Sequence, residues 1–153
     1  MTDYLPLPGT PIEELDTPCI VVDLDLAEAN IAKLQNAAND MGVHVRPHSK
    51  TSKSPYWVRK QLEAGAIGIC CAKVGEAEVM VEAGIMEVMI TSQVIGKSKI
   101  ARLLALASSA QMIVAVEDSS NVSELSEAST AAGVEIGVIV ELNVGQDRCG
   151  TDP

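Results

Sequence analysis

Four short glycine junctions constrain this chain more than any other feature. Met41-Gly42-Val43, Ala64-Gly65-Ala66, Ala83-Gly84-Ile85 and Ala132-Gly133-Val134 each separate a helix-like stretch from an apolar run, at intervals of roughly 20 to 25 residues or a multiple of that. Glycine closes a helix in the left-handed conformation without a steric penalty. The runs that follow are continuously aliphatic, as strands buried on both faces of a parallel sheet are. The chain therefore reads as a repeated βα unit.

In chain order, Thr17 to Val22 reads as a short β-run. Asp25, with Glu28 three residues on, opens a helix over Ala27 to Asp40 in which Ile31, Leu34 and Ala38 share a face. Val43 to Pro47 is strand-like. Ser54 and Pro55 then start a second helix that runs to Gly65, with proline where its missing N–H is tolerated. Strands at Ala66 to Ala72, Glu87 to Thr91, Gln111 to Val116 and Glu135 to Val144 alternate with helices at Gly75 to Ala83, Ser98 to Ser108 and Asp118 to Ala132. Both a doubly wound sheet and a (β/α)8 barrel fit this pattern. A full barrel needs about 250 residues and this chain offers about five barrel strands, so as a barrel it covers little more than half. Residues 1–16, acidic and rich in proline, read as a leader, and residues 17–153 as the βα array.

Composition removes several classes of function. The net charge is −10, aromatic residues make up 2% and there is no Phe. Stacking platforms for nucleic acid are thus not expected, and the acidic surface repels phosphate backbones and anionic lipid. No apolar run reaches the roughly 18 to 20 residues that span a bilayer, and the start of the chain lacks the basic and apolar parts of a secretory signal. A cytoplasmic location follows as the expectation. Cys19, the adjacent Cys70 and Cys71, and Cys149 show no C-x-x-C spacing, so buried, reduced thiols are expected rather than a disulfide framework or a metal site.

Chemistry in such folds sits at the carboxyl ends of the strands. Two of those loops are dense in reactive groups. Arg46-Pro47-His48-Ser49-Lys50-Thr51-Ser52-Lys53 gathers cations and a histidine in an otherwise negative chain, which suits an anionic ligand or a lysine nucleophile. Strand geometry puts His48 and Lys50 on one side and Ser49 on the other. Lys53 reads as a solvated cation or the partner of a nearby carboxylate, and His44 as a surface or packing residue. At the far end, Arg148 lies between Gly145 and Gly150, and its permanent charge can hold a phenolate or carboxylate unless Asp147 or Glu141 claims it. Phosphate-loop, dinucleotide and zinc-helix motifs do not occur.

Taken together, Asp16-Thr17-Pro18 before Val21-Val22-Asp23-Leu24, then Arg46-Pro47-His48-Ser49-Lys50-Thr51, then Gly68-Ile69-Cys70-Cys71-Ala72-Lys73-Val74 with Glu76-Ala77, and finally Val144-Gly145-Gln146 with Arg148-Cys149-Gly150, resemble the D-threonine aldolase and D-serine dehydratase family. The resemblance implies an alanine-racemase-like barrel, cut short here, with a carboxyl-terminal β domain beyond it. It implies pyridoxal 5′-phosphate as cofactor, joined to Lys50, with His48 beside the site, Arg148 near the ring's phenolic oxygen and Gln93 as a further cofactor contact. The implied activity is a lyase that cleaves D-β-hydroxy amino acids to glycine and an aldehyde. Dehydration of D-serine or D-threo-3-hydroxyaspartate is the neighbouring alternative, and a non-catalytic cofactor-binding protein is the alternative of another class. A divalent metal is implied only with the carboxyl-terminal domain, and a homodimer for the full-length form. Two positions depart from the family pattern: Ser52 stands where a histidine is usual, and Asp147 where a small residue or histidine is commoner.

Overall fold

The computed structural model describes residues 5–153. The first four residues of the expected leader lie outside the described residues, and the remainder holds one 3-10 turn, Ile12–Glu14. Five helices follow: α1 (Leu24–Asp40), α2 (Pro55–Glu63), α3 (Val74–Glu82), α4 (Lys97–Ala107) and α5 (Ser119–Ala132). The strands β1 (Ile69–Cys71), β2 (Glu87–Ile90), β3 (Gln111–Val116) and β4 (Gly137–Val140) form one parallel sheet in the order β1-β2-β3-β4. No helix among the described residues is long and apolar enough to cross a membrane.

Register decides between the two architectures left open by the sequence. Ile69 pairs with Val88 and Val88 with Met112, while Cys71 pairs with Ile90 and Ile90 with Val114. These residues share one face and are at most 2% exposed. Packed with them are Val58 of α2, Ala77 and Met80 of α3, Leu103 of α4 and Leu125 of α5. The alternate row, Cys70, Met89 and Ile113, is only half-buried. All core-forming helices therefore cover one face, and each strand neighbours the next in sequence. That is a segment of a barrel wall; a doubly wound sheet carries helices on both faces.

Local chemistry explains the helix ends. The Asp23 carboxylate accepts the Leu26 N–H at 3.0 Å, so α1 starts a few residues before the Asp25 and Glu28 pair suggested. Ser54 and Pro55 do begin α2, and Asp118 caps α5 through the Ser120 and Asn121 amides. Gly133 ends α5 at φ 66° and ψ 33°, a backbone conformation that costs other residues roughly 1 kcal/mol or more.

Four expectations need correction. Thr17 to Val22 joins no strand among the described residues, and Ile20 is 95% exposed. Ala38 is buried as expected, but Leu34 is exposed and the other buried residue of α1 is Gln35. β4 is exposed along its whole length rather than buried on both faces. Cys19 is exposed and Cys70 and Cys149 are half-buried; only Cys71 is fully inside, although all four thiols are free. In every case no neighbouring element covers the residue: β4 is the last strand of the sheet, and Cys70 lies on the sheet face that the core-forming helices do not cover. Val43 to Pro47 is intermediate: it forms no strand of its own, yet Val45 and Pro47 accept the Ile67 and Cys70 amides at 2.9 and 2.7 Å, which gives the sheet a fifth lane beside β1.

Candidate functional site

The lane at Val45 to Ser49 delivers Lys50 to the carboxyl end of the sheet. His48 bridges Cys70, and the Ser49 N–H donates to the Cys70 carbonyl at 2.8 Å. His48 consequently shares the open face with Cys70. Ser49 turns the other way: it is 3% exposed, its Oγ donates to the Cys70 carbonyl at 3.0 Å and lies 3.4 Å from the buried Cys71 Sγ. The next turn closes when the Lys53 N–H donates to the Ser49 carbonyl at 2.7 Å. Lys50 is thereby swung out of the strand and is exposed. The alternation expected for His48 and Ser49 is the one observed, while Lys50 lies in the turn beyond the strand geometry.

His48 is held at both ring nitrogens. Its Nδ1 accepts the Lys50 backbone N–H at 3.2 Å, and its Nε2 lies 3.1 Å from Thr91 Oγ1. Burial, and then the positive charge of Lys50, lower its pKa from 6.5, against a smaller opposite pull from Glu76. Glu76 is itself engaged, accepting the Ala72 N–H at 2.8 Å and facing Lys53 Nζ at 3.8 Å. Lys53 is thus the partner of a carboxylate, as one reading of the sequence held. No ion pair involves Lys50 among the described residues. His44 is exposed.

The second dense segment is a self-contained loop after β4. Its base is closed by the Asn143 N–H donating to the Thr151 carbonyl at 2.8 Å and the Thr151 N–H donating to the Glu141 carbonyl at 2.9 Å. The Gly145 and Asp147 amides both donate to Asn143 Oδ1. Gly150 sits so tightly against Asn143 and Leu142 that a Cβ there would fall 2.6 Å from the Asn143 nitrogen, and its N–H donates to the Glu117 carboxylate. Asp147 receives Asn143 Nδ2 at 3.0 Å, and no ion pair involves Arg148 among the described residues. The guanidinium projects exposed from the loop with no carboxylate in ion-pair contact among the described residues; the neighbouring Cys149 and, less strongly, the charge of Glu141 raise its pKa above the ordinary arginine value.

The end of β2 joins the two segments. Thr91 reaches back to His48, and Gln93, two residues on, donates Nε2 to Glu141 Oε2 at 2.7 Å. Cys149 Sγ donates to the other oxygen of that carboxylate at 3.2 Å. Sequence reasoning singled out Gln93 but missed Thr91, whose only outward sign was its place immediately after an apolar run. Among the described residues no group of His, Cys, Asp and Glu is arranged to hold a metal ion.

Comparison with known proteins places this arrangement. The family model described as "Alanine racemase, N-terminal domain" matches residues 22–153. The chain is similar to a D-threonine aldolase of Arthrobacter sp, with 45% identity over 143 residues that cover 94% of this chain and 38% of the relative. It is similar to a 3-hydroxy-D-aspartate aldolase of Paracoccus denitrificans at 40% identity, covering 97% of this chain and 39% of that protein. Among solved structures, D-threonine aldolase from Filomicrobium marinum superposes with a TM-score of 0.89 at 46% identity, over 90% of this chain and 37% of its own. The chain thus spans less than two fifths of the length of each of these proteins.

Proposed function

This chain belongs to the alanine racemase N-terminal domain family, and from that membership we propose that it is the cofactor-bearing part of a pyridoxal-phosphate lyase that splits D-β-hydroxy amino acids into glycine and an aldehyde. The observation that carries the reading is the presentation of Lys50: an exposed residue in the turn at the carboxyl end of a barrel wall, without a carboxylate partner among the described residues.

The donor set fits the group. An aldehyde needs an uncommitted amine; Lys50 is in no ion pair among the described residues, and Glu76 faces Lys53. A phenolic oxygen needs a permanent cation, and the Arg148 guanidinium is exposed with no carboxylate in ion-pair contact among the described residues. Pyridoxal phosphate, when bound, supplies a conjugated electron sink that lets a bond at the substrate's Cα break. Lys50 holds it covalently and Arg148 holds its phenolic charge. Gln93, clamped to Glu141, keeps the loop after β2 against the loop after β4. His48, with Nδ1 committed to the Lys50 amide, fixes the turn from which the lysine projects.

The remainder of the proposal follows the family resemblance: a divalent metal held by a carboxyl-terminal domain, a homodimer, and a cytoplasmic location. The test is reconstitution of the intact protein with pyridoxal phosphate, borohydride reduction and peptide mapping. We expect the pyridoxyl label on Lys50, and glycine with acetaldehyde from D-threonine once divalent metal is added. Pyruvate and ammonia from D-serine would replace the aldolase by a dehydratase. A labelled protein inert towards both amino acids would make it a cofactor carrier, and absence of label from Lys50 would overturn the reading.

A further inference from the structure

Thr91 makes more contacts than a strand-end threonine needs. Its N–H and its Oγ1 both reach the Cys71 carbonyl, at 2.9 and 3.2 Å, and the same Oγ1 lies 3.1 Å from His48 Nε2. At the far side of the ring the Lys50 N–H meets Nδ1 at 3.2 Å. The proton positions in this chain of contacts are determined by its ends. A backbone N–H can only donate, so Nδ1 carries no proton. A neutral imidazole has one ring N–H, which must then be on Nε2. Thr91 Oγ1 accepts it and turns its own hydrogen to the Cys71 carbonyl, which can only accept. Every donor in the path has one acceptor, and the path links β1, β2 and the Lys50 turn.

Resting on the reading of Lys50 given above, we propose that Thr91 is a positioning residue: it holds His48 in the Nε2–H tautomer, so that the bare Nδ1 anchors the Lys50 backbone and sets the direction in which the lysine leaves the strand end. Without the hydroxyl, Nε2 loses its acceptor and the ring is free to take the other tautomer. An Nδ1–H then opposes the Lys50 N–H, and the anchor is lost. The charged groups around His48 are Lys50 on its own turn and Glu76 on α3; β1 contributes the Cys70 thiol and β2 the uncharged Thr91 hydroxyl. Ring protonation breaks the anchor in the same way as the wrong tautomer does, because it also places a hydrogen on Nδ1.

The experiment compares the intact protein with Thr91→Val, which keeps the shape, and Thr91→Ser, which keeps the hydroxyl. Three quantities are read: the tautomer of His48 from its ring nitrogen signals, assigned with His48→Gln; hydrogen exchange of the Lys50 amide; and the rate at which added pyridoxal phosphate labels Lys50. Thr91→Val should give mixed tautomers, faster Lys50 exchange and labelling slowed on the order of tenfold, while Thr91→Ser stays close to the parent. A Thr91→Val protein that keeps one Nε2–H tautomer and unchanged Lys50 exchange overturns the proposal. If the parent takes no label on Lys50, the functional reading fails, yet the tautomer and exchange measurements still decide the role of Thr91.

Discussion

The two faces of the sheet divide the labour. Towards the helices, Ile69, Val88, Ile90 and Val114 are completely enclosed, and their neighbours are the aliphatic side chains of α2 to α5. Towards the open side stand Cys70, Met89 and Ile113, half-covered, together with His48, Thr91 and the base of the Lys50 turn. Alternation along a strand sends successive side chains to opposite faces. One three-residue stretch, His48-Ser49-Lys50, can therefore anchor itself in the core through the middle residue and present chemistry through the outer two. The lesson is that stability and reactivity are interleaved along the same strands yet separated in space, so substitutions on the two faces should fail in different ways.

Lys50→Ala should give the largest effect and the cleanest separation. Turnover in the intact protein is expected to fall by more than about a thousandfold, with no pyridoxyl label at that position and an unchanged thermal midpoint; a large loss of stability would mean that the open face is structural after all. Leu103→Ala tests the opposite face. Leu103 is 0% exposed, and its truncation should cost about 2–5 kcal/mol in denaturant unfolding while the labelling stoichiometry of folded protein stays the same. Gly133→Ala should lower stability by about 1 kcal/mol, because the residue closes α5 at φ 66°, and should leave labelling untouched.

The smallest effect sharpens the comparison through pH. The folded pKa of His48 lies below its unfolded value of 6.5, so between those two values the unfolded chain binds more protons and stability rises with pH. The contribution of neutral His48 is complete above about pH 6.5 and is lost as pH falls through its folded pKa. The stability difference between the parent and His48→Gln should therefore shrink on acidification below that value, since losses at carboxylates are common to both. A difference that stays constant from neutral pH to pH 5 would show that the ring's charge state does not matter to the Lys50 turn.

Much of this architecture was readable from particular residues. The junctions at Gly42, Gly65, Gly84 and Gly133 all have positive φ, as expected of helix closures, and Gln111 to Val116 is a strand at the limits expected. His48 and Ser49 were correctly placed on opposite sides, because a bridge to Cys70 continues the strand geometry as far as Ser49. The misreadings cluster where a local pattern lacks a partner. Thr17 to Val22 has the composition of a strand but no neighbour to pair with, and the aliphatic run of β4 has no cover. Arg148 could not be separated from Asp147 by sequence, since the loop had to fold before Asn143 could take that carboxylate.

What the sequence determined by itself is the βα rhythm, the glycine helix closures and the appearance of a lysine at a strand end, all set by side chains within a few positions of one another. Tertiary structure alone decided that the helices cover one face, that the His48 ring meets both Thr91 and the Lys50 amide, and that the two reactive loops are tied through β2. Those outcomes depend on contacts 43 residues apart for His48 with Thr91 and 48 apart for Gln93 with Glu141. Hydrogen bonds of that span follow from strand register, which is fixed only when apolar side chains from separate repeats pack into one core.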